Sequence, residues 1–95
     1  LRPVENMERL GERRVVYSDL DGNGHVNNSV YGDMACDVLP MELFEGELKE
    51  FAINFVKEAK IGDIITLYGG RDGDSHVVIG YVGEGVCFEC AFTFE

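Results

Sequence analysis

The sequence predicts an α+β domain in which one helix packs on a curved antiparallel β-sheet. Apolar residues recur every three or four positions just after residue 28, a spacing typical of an amphipathic helix. After residue 48 they alternate with a period of two over several short stretches, as in β-strands. Short turn signals separate these stretches, so consecutive strands should be antiparallel neighbours that give the helix a surface to pack on.

Length and composition agree with a single small domain. The chain has 95 residues, of which 45% are hydrophobic and 27% charged, as expected for a folded chain with one core. No apolar run approaches the ~20 residues that a membrane helix needs, so we expect a soluble domain. Three cysteines without a secretory signal indicate a reducing, cytoplasmic environment.

The charge balance excludes two classes of partner. A net charge of −10 is unfavourable for binding nucleic acid or an anionic membrane surface, both of which require clustered Lys and Arg.

Cys87 and Cys90 form a CxxC pair, but it lies in a strand-like pattern and lacks two further ligands, so we expect no zinc site. We expect no metal and no cofactor.

The N-terminal part carries the weakest structural signal. Residues 1–12 are predicted to be a linker or N-terminal extension with slight helical character, and residues 13–95 a single domain. The chain begins with Leu1 rather than Met, so we expect a preceding portion. Residues 13–17 are rich in β-branched and aromatic side chains and predict the first strand.

The helix should begin near Asn27 or Asn28, whose side-chain oxygens can accept hydrogen bonds from the first turn, and end before Pro40. A polar loop over residues 41–46 should follow. The apolar positions that define the helix are Val30, Tyr31, Met34, Ala35 and Val38.

Four strands are predicted after the helix, and turn-forming clusters separate them. The order is one strand, a polar loop, one helix and then four antiparallel strands, which is the hotdog arrangement. The predicted strands cover residues 48–58, 64–68, 76–82 and 86–94, with turns at 61–63, 69–74 and 83–85.

The polar stretch between the first strand and the helix, residues 18–28, holds most of the functional information. Its first half fits a calcium-binding EF-hand loop from Asp19 onward, but Val30 stands where that loop needs a bidentate Glu. A second alternative is an ordinary sharp turn into a helix. Acids, amides and one imidazole at a helix N-terminus also suit an active site, because that end offers free N–H groups and a positive dipole.

Residues 18–28 read SDLDGNGHVNN and are followed by Tyr31. This string resembles the signature of the acyl-ACP thioesterases of bacteria and plants, and the similarity continues through the helix and residues 56–59 to the final strands. Members of that family resemble two hotdog domains in tandem, with the catalytic residues in the second and much of the acyl pocket in the first. The resemblance implies that this chain is the second domain.

The resemblance also implies a catalytic set. By motif position, the family's Asp, Asn and His fall on Asp21, Asn23 and His25, and its Glu falls on Glu58. Plant members place a Cys directly after that Glu, whereas this chain has Ala59, so the similarity does not imply a cysteine nucleophile.

Thioester hydrolysis needs a base that activates water and donors that stabilise the oxyanion. We expect Glu58 or Asp21 to accept the proton from water, His25 to transfer a proton, and Asn23 to position water or the carbonyl. Direct attack by a carboxylate, through an acyl anhydride, is an alternative. The expected oxyanion donors are backbone N–H groups at the helix N-terminus, those of Val26 and Asn27.

The implied substrate is fatty acyl-ACP, hydrolysed to free fatty acid and ACP in fatty acid biosynthesis. The carrier should meet Arg13, Arg14 or the absent first domain, because acyl carrier proteins are acidic. Acyl-CoA is the alternative substrate, and a non-catalytic dimerisation or acyl-binding module is the alternative function. The expected protein partner is a second hotdog domain, in cis or in a homodimer.

Overall fold

The computed structural model describes residues 7–22 and 24–94. These residues contain five strands and one α-helix, and the strands form one antiparallel sheet in the order β1-β3-β4-β5-β2. The helix packs across β1, β4 and β5. This is the predicted hotdog fold. The element bounds are β1 Glu8–Arg14, α1 Asn28–Val38, β2 Leu48–Phe55, β3 Ile64–Asp72, β4 Ser75–Val82 and β5 Gly85–Phe94.

The first strand begins earlier than the sequence predicts. It starts at Glu8 rather than at residue 13, so the part of the predicted extension from Glu8 onward is strand, whereas residues 1–6 lie outside the described residues. Its pattern was hard to recognise because β1 is an edge strand with exposed charges, and only Leu10 packs against the core. The strand also ends at Arg14, before the predicted residue 17.

The third strand is longer than predicted, because the expected turn at residues 69–74 is confined to Gly73 and Asp74. Gly69 stays in the ladder, paired with Glu8 on one side and Val78 on the other. A Cβ atom at Gly69 would lie 2.5 Å from Leu10 Cδ1. The glycine therefore allows Leu10 to pack closely over the sheet rather than marking a turn.

The second strand is shorter than predicted and leaves Glu58 outside the sheet. β2 ends at Phe55, which pairs with Phe88. Beyond it, the N–H groups of Val56 and Lys57 both donate to the Cys87 carbonyl, at 2.9 and 3.1 Å. Because two consecutive donors share one acceptor, the regular ladder stops there.

The core lies between α1 and the centre of the sheet. Met34 and Ala35 of the helix are fully buried, as are Phe88 and Cys90 of β5. β2, at the sheet edge, is mostly exposed even though it carries large apolar side chains. The predicted loop after the helix is a 3-10 turn, Met41–Glu45. Among the described residues, no helix has the length and apolar character needed to cross a bilayer.

Candidate active site

The polar stretch before α1 folds back on itself as a compact loop. Leu20 and Val26 face each other in an isolated antiparallel bridge. The Asp21 N–H donates to the His25 carbonyl at 2.7 Å, and the Asn27 N–H donates to the Asp19 carbonyl at 3.0 Å. This closure brings Asp21 and His25 next to each other, and the loop then runs directly into the helix.

Gly24 permits the reversal at the tip of the loop. Its φ of +81° lies in the left-handed region, which residues with a Cβ atom rarely adopt. Its N–H donates to the Asp21 carbonyl at 3.2 Å. Asn23, the neighbouring residue of the predicted set, lies outside the described residues.

Asp19 anchors the base of the loop. Its carboxylate, 4% exposed, accepts two hydrogen bonds from the Arg13 guanidinium, at 2.8 and 3.0 Å, and one from the Val16 N–H at 3.0 Å. The Arg13 hydrogen bonds lower the pKa of Asp19 below its ordinary value, against the opposing effect of burial. This arrangement also argues against the EF-hand alternative, because Arg13 binds both oxygens of the first expected calcium ligand.

His25 and Glu58, 33 positions apart in the chain, are brought into direct contact. The imidazole Nδ1 forms a hydrogen bond with Glu58 Oε1. Both side chains are exposed, His25 by 60% and Glu58 by 47%. When Glu58 is ionised it can only accept, so in that state the shared proton belongs to Nδ1 and Nε2 is the ring atom that can accept another.

Asp21 supports the loop rather than the imidazole ring. Its Oδ1 accepts a hydrogen bond from the backbone N–H of His25 at 3.2 Å. The Asp21 carboxylate therefore fixes the backbone from which the His25 side chain projects.

The N-terminus of α1 forms the floor of the site. Asn27 is the N-cap, and its Oδ1 accepts hydrogen bonds from the Ser29 N–H at 3.1 Å and the Ser29 hydroxyl at 3.0 Å. The Asn27 N–H already donates to the Asp19 carbonyl, so of the two expected oxyanion donors only the Val26 N–H is left for that role. The two hydrogen bonds of the Leu20–Val26 bridge are made by flanking residues, not by Val26 itself.

These elements surround an open cleft of about 480 Å³. Five of the six predicted site residues line it, and it combines polar groups from the loop with apolar and charged groups that follow β2. The lining residues are Asp21, His25, Val26, Asn27, Asn28, Tyr31, Phe55, Val56, Lys57 and Glu58.

The supporting roles of Asp19, Arg13 and Tyr31 were not expected from the sequence. Asp19 belonged to the quoted motif, but its partner Arg13 was considered only as a surface charge. Tyr31 was expected to pack in the core, and it does, but its hydroxyl also accepts a hydrogen bond from the Ala59 N–H at 3.1 Å. The only signal for them in the sequence was that Asp19 lies within the quoted motif and that Tyr31 follows it.

One helix packed on a five-stranded antiparallel sheet is the fold of the hotdog thioesterases. Residues 4–82 match the family model of the acyl-ACP thioesterase C-terminal domain. The chain therefore belongs to the acyl-ACP thioesterase family and corresponds to its C-terminal domain. No curated protein sequence is similar enough to this chain to count as a match.

Solved structures show the same fold. An acyl-ACP thioesterase from Bacteroides thetaiotaomicron superposes with a TM-score of 0.85 at 26% identity, over 93% of this chain and 37% of that one. The 12:0-ACP thioesterase from Umbellularia californica gives 0.79 at 16% identity, over 97% of this chain and 36% of that one. A Staphylococcus aureus protein in complex with CoA superposes with a TM-score of 0.78 at 15% identity, over 93% of this chain and 75% of that one. The chain thus spans less than two fifths of the two acyl-ACP thioesterases.

Proposed function

We propose that this chain is the catalytic domain of an acyl-ACP hydrolase that releases free fatty acid and ACP in cytoplasmic fatty acid biosynthesis. The observation that carries the proposal is the contact between His25 Nδ1 and Glu58 Oε1 at the cleft. An imidazole oriented by a carboxylate is a general acid–base pair. Membership of the acyl-ACP thioesterase family supports this choice of substrate class.

This pairing favours His25 as the base, in place of Glu58 or Asp21, which were expected to take the proton from water. His25 Nε2 takes a proton from a water molecule, and Glu58 stabilises the imidazolium that forms. The water oxygen bonds to the thioester carbon, giving a tetrahedral oxyanion. When the C–S bond breaks, the imidazolium returns its proton to the sulfur, so the products are a carboxylic acid and a thiol.

The remaining predicted residues support this reaction. The Val26 N–H, beside the positive end of α1, is the proposed oxyanion donor. Asp21 holds the His25 backbone through a hydrogen bond of 3.2 Å. For Asn23 we keep the role implied by the family motif, which is to position the water or the carbonyl.

The exposure of the site indicates what completes it. Hydrolysis in an acyl channel requires an apolar enclosure, yet His25 and Glu58 are both about half exposed or more. Beside them, the edge strand β2 exposes Leu48, Phe51 and Phe55 by 46%, 46% and 44%. We propose that a second hotdog domain, in cis or from another copy, covers this edge and supplies the acyl pocket.

The carrier must approach an acidic domain, so the local cations matter. Arg13 forms an ion pair with Asp19, so the positive charge of Arg13 is already neutralised and is not available to an acidic carrier. Lys57 lines the active-site cleft, and Lys57 and Lys60 both line an adjoining cleft. We propose that these lysines, with the exposed Arg14, face the acidic carrier.

Acyl-CoA is the second candidate substrate. The S. aureus structure in complex with CoA shares the fold of this chain, and the phosphates of CoA are also anionic. The same lysines suit either carrier, so the choice between the two rests on direct comparison of the substrates.

The test is a hydrolysis assay on the gene product that carries this sequence, with acyl-ACP and acyl-CoA compared over a series of chain lengths. Alanine substitutions of Asp21, Asn23, His25 and Glu58 are assayed singly, with Glu84→Ala in the exposed β4–β5 turn as the control. We expect acyl-ACP to be preferred and Glu84→Ala to be unaffected. Binding of acyl-ACP without hydrolysis would favour the non-catalytic module, and normal turnover by His25→Ala or Glu58→Ala would remove that residue from the mechanism.

A further inference from the structure

The peptide that carries Glu58 is held by three hydrogen bonds that its backbone N–H groups donate beyond the end of β2. The N–H groups of Val56 and Lys57 donate to the Cys87 carbonyl, at 2.9 and 3.1 Å. On the other side of Glu58, the Ala59 N–H donates to the Tyr31 hydroxyl at 3.1 Å. The first two bonds anchor this peptide to β5, and the third anchors it to the helix.

Tyr31 lies close in sequence to the other half of the catalytic pair. It stands in the first turns of α1, whose N-cap Asn27 follows the loop that presents His25. The Tyr31–Ala59 hydrogen bond therefore joins the helix that extends the His25 loop directly to the peptide that presents Glu58. Among the described residues, no other hydrogen bond connects α1 with residues 56–60.

The Tyr31 ring is fixed, so its hydroxyl has a defined position. Tyr31 is 3% exposed, and the centroid of its ring lies 5.6 Å from that of Phe55 and 5.2 Å from that of Phe88. Ala59 is 1% exposed, so its N–H has no access to solvent if the tyrosine oxygen is removed. The peptide must then shift to find another acceptor.

The hydroxyl is suited to a structural role rather than to proton transfer. Burial raises the pKa of Tyr31 above its ordinary value, and burial likewise raises the pKa of the neighbouring Cys87 thiol. Both groups are therefore neutral at pH 7. A neutral hydroxyl keeps its oxygen lone pairs as acceptors for the Ala59 N–H.

We propose that Tyr31 is a positioning residue, which sets the position of the Glu58 carboxylate against His25 through its hydrogen bond to Ala59. This inference rests on the proposed function, because the position of Glu58 affects the rate only if Glu58 acts in the reaction. Tyr31 does not act on the substrate itself, and its effect passes through Glu58.

The test compares Tyr31→Phe with the matched control Tyr81→Phe, which removes a hydroxyl from β4 on a ring that contacts Tyr68. Misplacement of a catalytic group by about 1 Å can cost ~100-fold in rate, and here only one of three anchors is lost. We expect kcat to fall about tenfold in Tyr31→Phe with KM changed less than about twofold, and no change in Tyr81→Phe.

A double-mutant cycle separates positioning from general destabilisation. If Tyr31 acts through Glu58, adding Tyr31→Phe to Glu58→Gln should leave kcat at the value of Glu58→Gln alone. Multiplication of the two effects, or full kcat in Tyr31→Phe, would overturn the proposal.

A spectroscopic measurement distinguishes failure of this inference from failure of the proposed function. In Tyr31→Phe, the Ala59 amide should exchange with solvent faster and the ¹⁵N resonances of the His25 imidazole should shift, neither occurring in Tyr81→Phe. If the wild type hydrolyses no thioester, the proposed function fails, and these spectra alone decide whether Tyr31 positions the pair. Unchanged His25 resonances would refute the positioning role.

Discussion

The two sides of the cleft use their carboxylates in opposite ways. On the loop side, Asp19 is 4% exposed and binds Arg13 and the Val16 N–H. On the other side, the Glu58 side chain is 47% exposed and contacts His25, while its position is set by neighbouring backbone bonds. Asp19 thus stabilises the loop, whereas Glu58 contacts the imidazole and lines the open cleft.

We therefore expect Asp19 to affect mainly the stability of the fold and Glu58 mainly the rate of the reaction. A buried carboxylate must be paired, and removing its partner is costly, so Asp19 should contribute mainly to folding. An exposed carboxylate at a cleft contributes little to folding and can exchange protons with its surroundings. Substitutions on the two sides should therefore have different effects on rate and on unfolding.

The largest expected effect is on the rate and lies on the Glu58 side. Glu58→Gln should lower kcat by about 10²- to 10⁴-fold, the contribution typical of a positioned acid–base group. The free energy of unfolding should change by less than about 0.5 kcal/mol, as for other exposed positions. Steady-state hydrolysis and urea denaturation measure the two quantities, with Glu84→Gln as the control. A large loss of stability in Glu58→Gln would break the contrast between the two sides.

The next largest effect is on stability and lies on the loop side. Asp19→Asn should lower the free energy of unfolding by about 2–3 kcal/mol, since it leaves Arg13 without its partner. We place the effect below the range for fully buried pairs because the Arg13 side chain is 34% exposed. Urea denaturation at pH 7 measures it, and the exposed Asp33→Asn serves as the control.

The same pair gives a pH dependence. The pKa of Asp19 is lowered in the folded state, so its stabilising contribution is fully present above the unfolded pKa of ~3.9 and is lost as the pH falls through the folded value. The stability gap between wild type and Asp19→Asn should therefore shrink below about pH 4. A gap that stayed constant down to pH 2 would show that the ion pair is not its source.

A smaller effect should sharpen the assignment of the carrier-facing side. Reversing Arg14, Lys57 and Lys60 to Glu, one at a time, should raise KM for acyl-ACP by about fivefold at low salt and by less at high salt, since exposed charges are screened. Lys49→Glu in β2 is a charge-matched control. If KM rises equally in all four variants, net charge rather than a local surface controls the approach.

The smallest effect concerns the helix cap at the floor of the site. Asn27→Ala removes the acceptor of the Ser29 N–H and should lower the free energy of unfolding by about 1 kcal/mol. Asn54→Ala, on the exposed edge strand, should change it by less than about 0.5 kcal/mol. Thermal or urea unfolding of both variants checks the difference, and equal effects would mean that the cap is not a stabilising feature.

Local patterns predicted much of the fold. The helix was placed correctly because its apolar spacing and its Asn cap are encoded within a few residues. The start of β1 was misplaced because an edge strand with exposed charges lacks the alternation that marks a strand. Glu58 was expected at a strand end, but its peptide leaves the ladder at Val56, a departure that depends on the Cys87 carbonyl of another strand.

The site was predicted less directly than the fold. His25 and Glu58 are separated by 33 positions, so no local spacing could join them, and the family motif alone suggested the pair. Arg13 pairs with Asp19 only because the chain turns between them. The role of Tyr31 depends on a tertiary contact with Ala59, which a sequence pattern does not encode.

The most direct test of the proposed catalytic pair is a double-mutant cycle between His25 and Glu58. The rate of acyl-ACP hydrolysis is measured for wild type, His25→Gln, Glu58→Gln and the double variant, with stability monitored in each. If the two side chains act as one acid–base unit, we expect the double variant to be no slower than the slower single variant. Multiplication of the two single effects would contradict a shared role and would assign the two residues to separate steps.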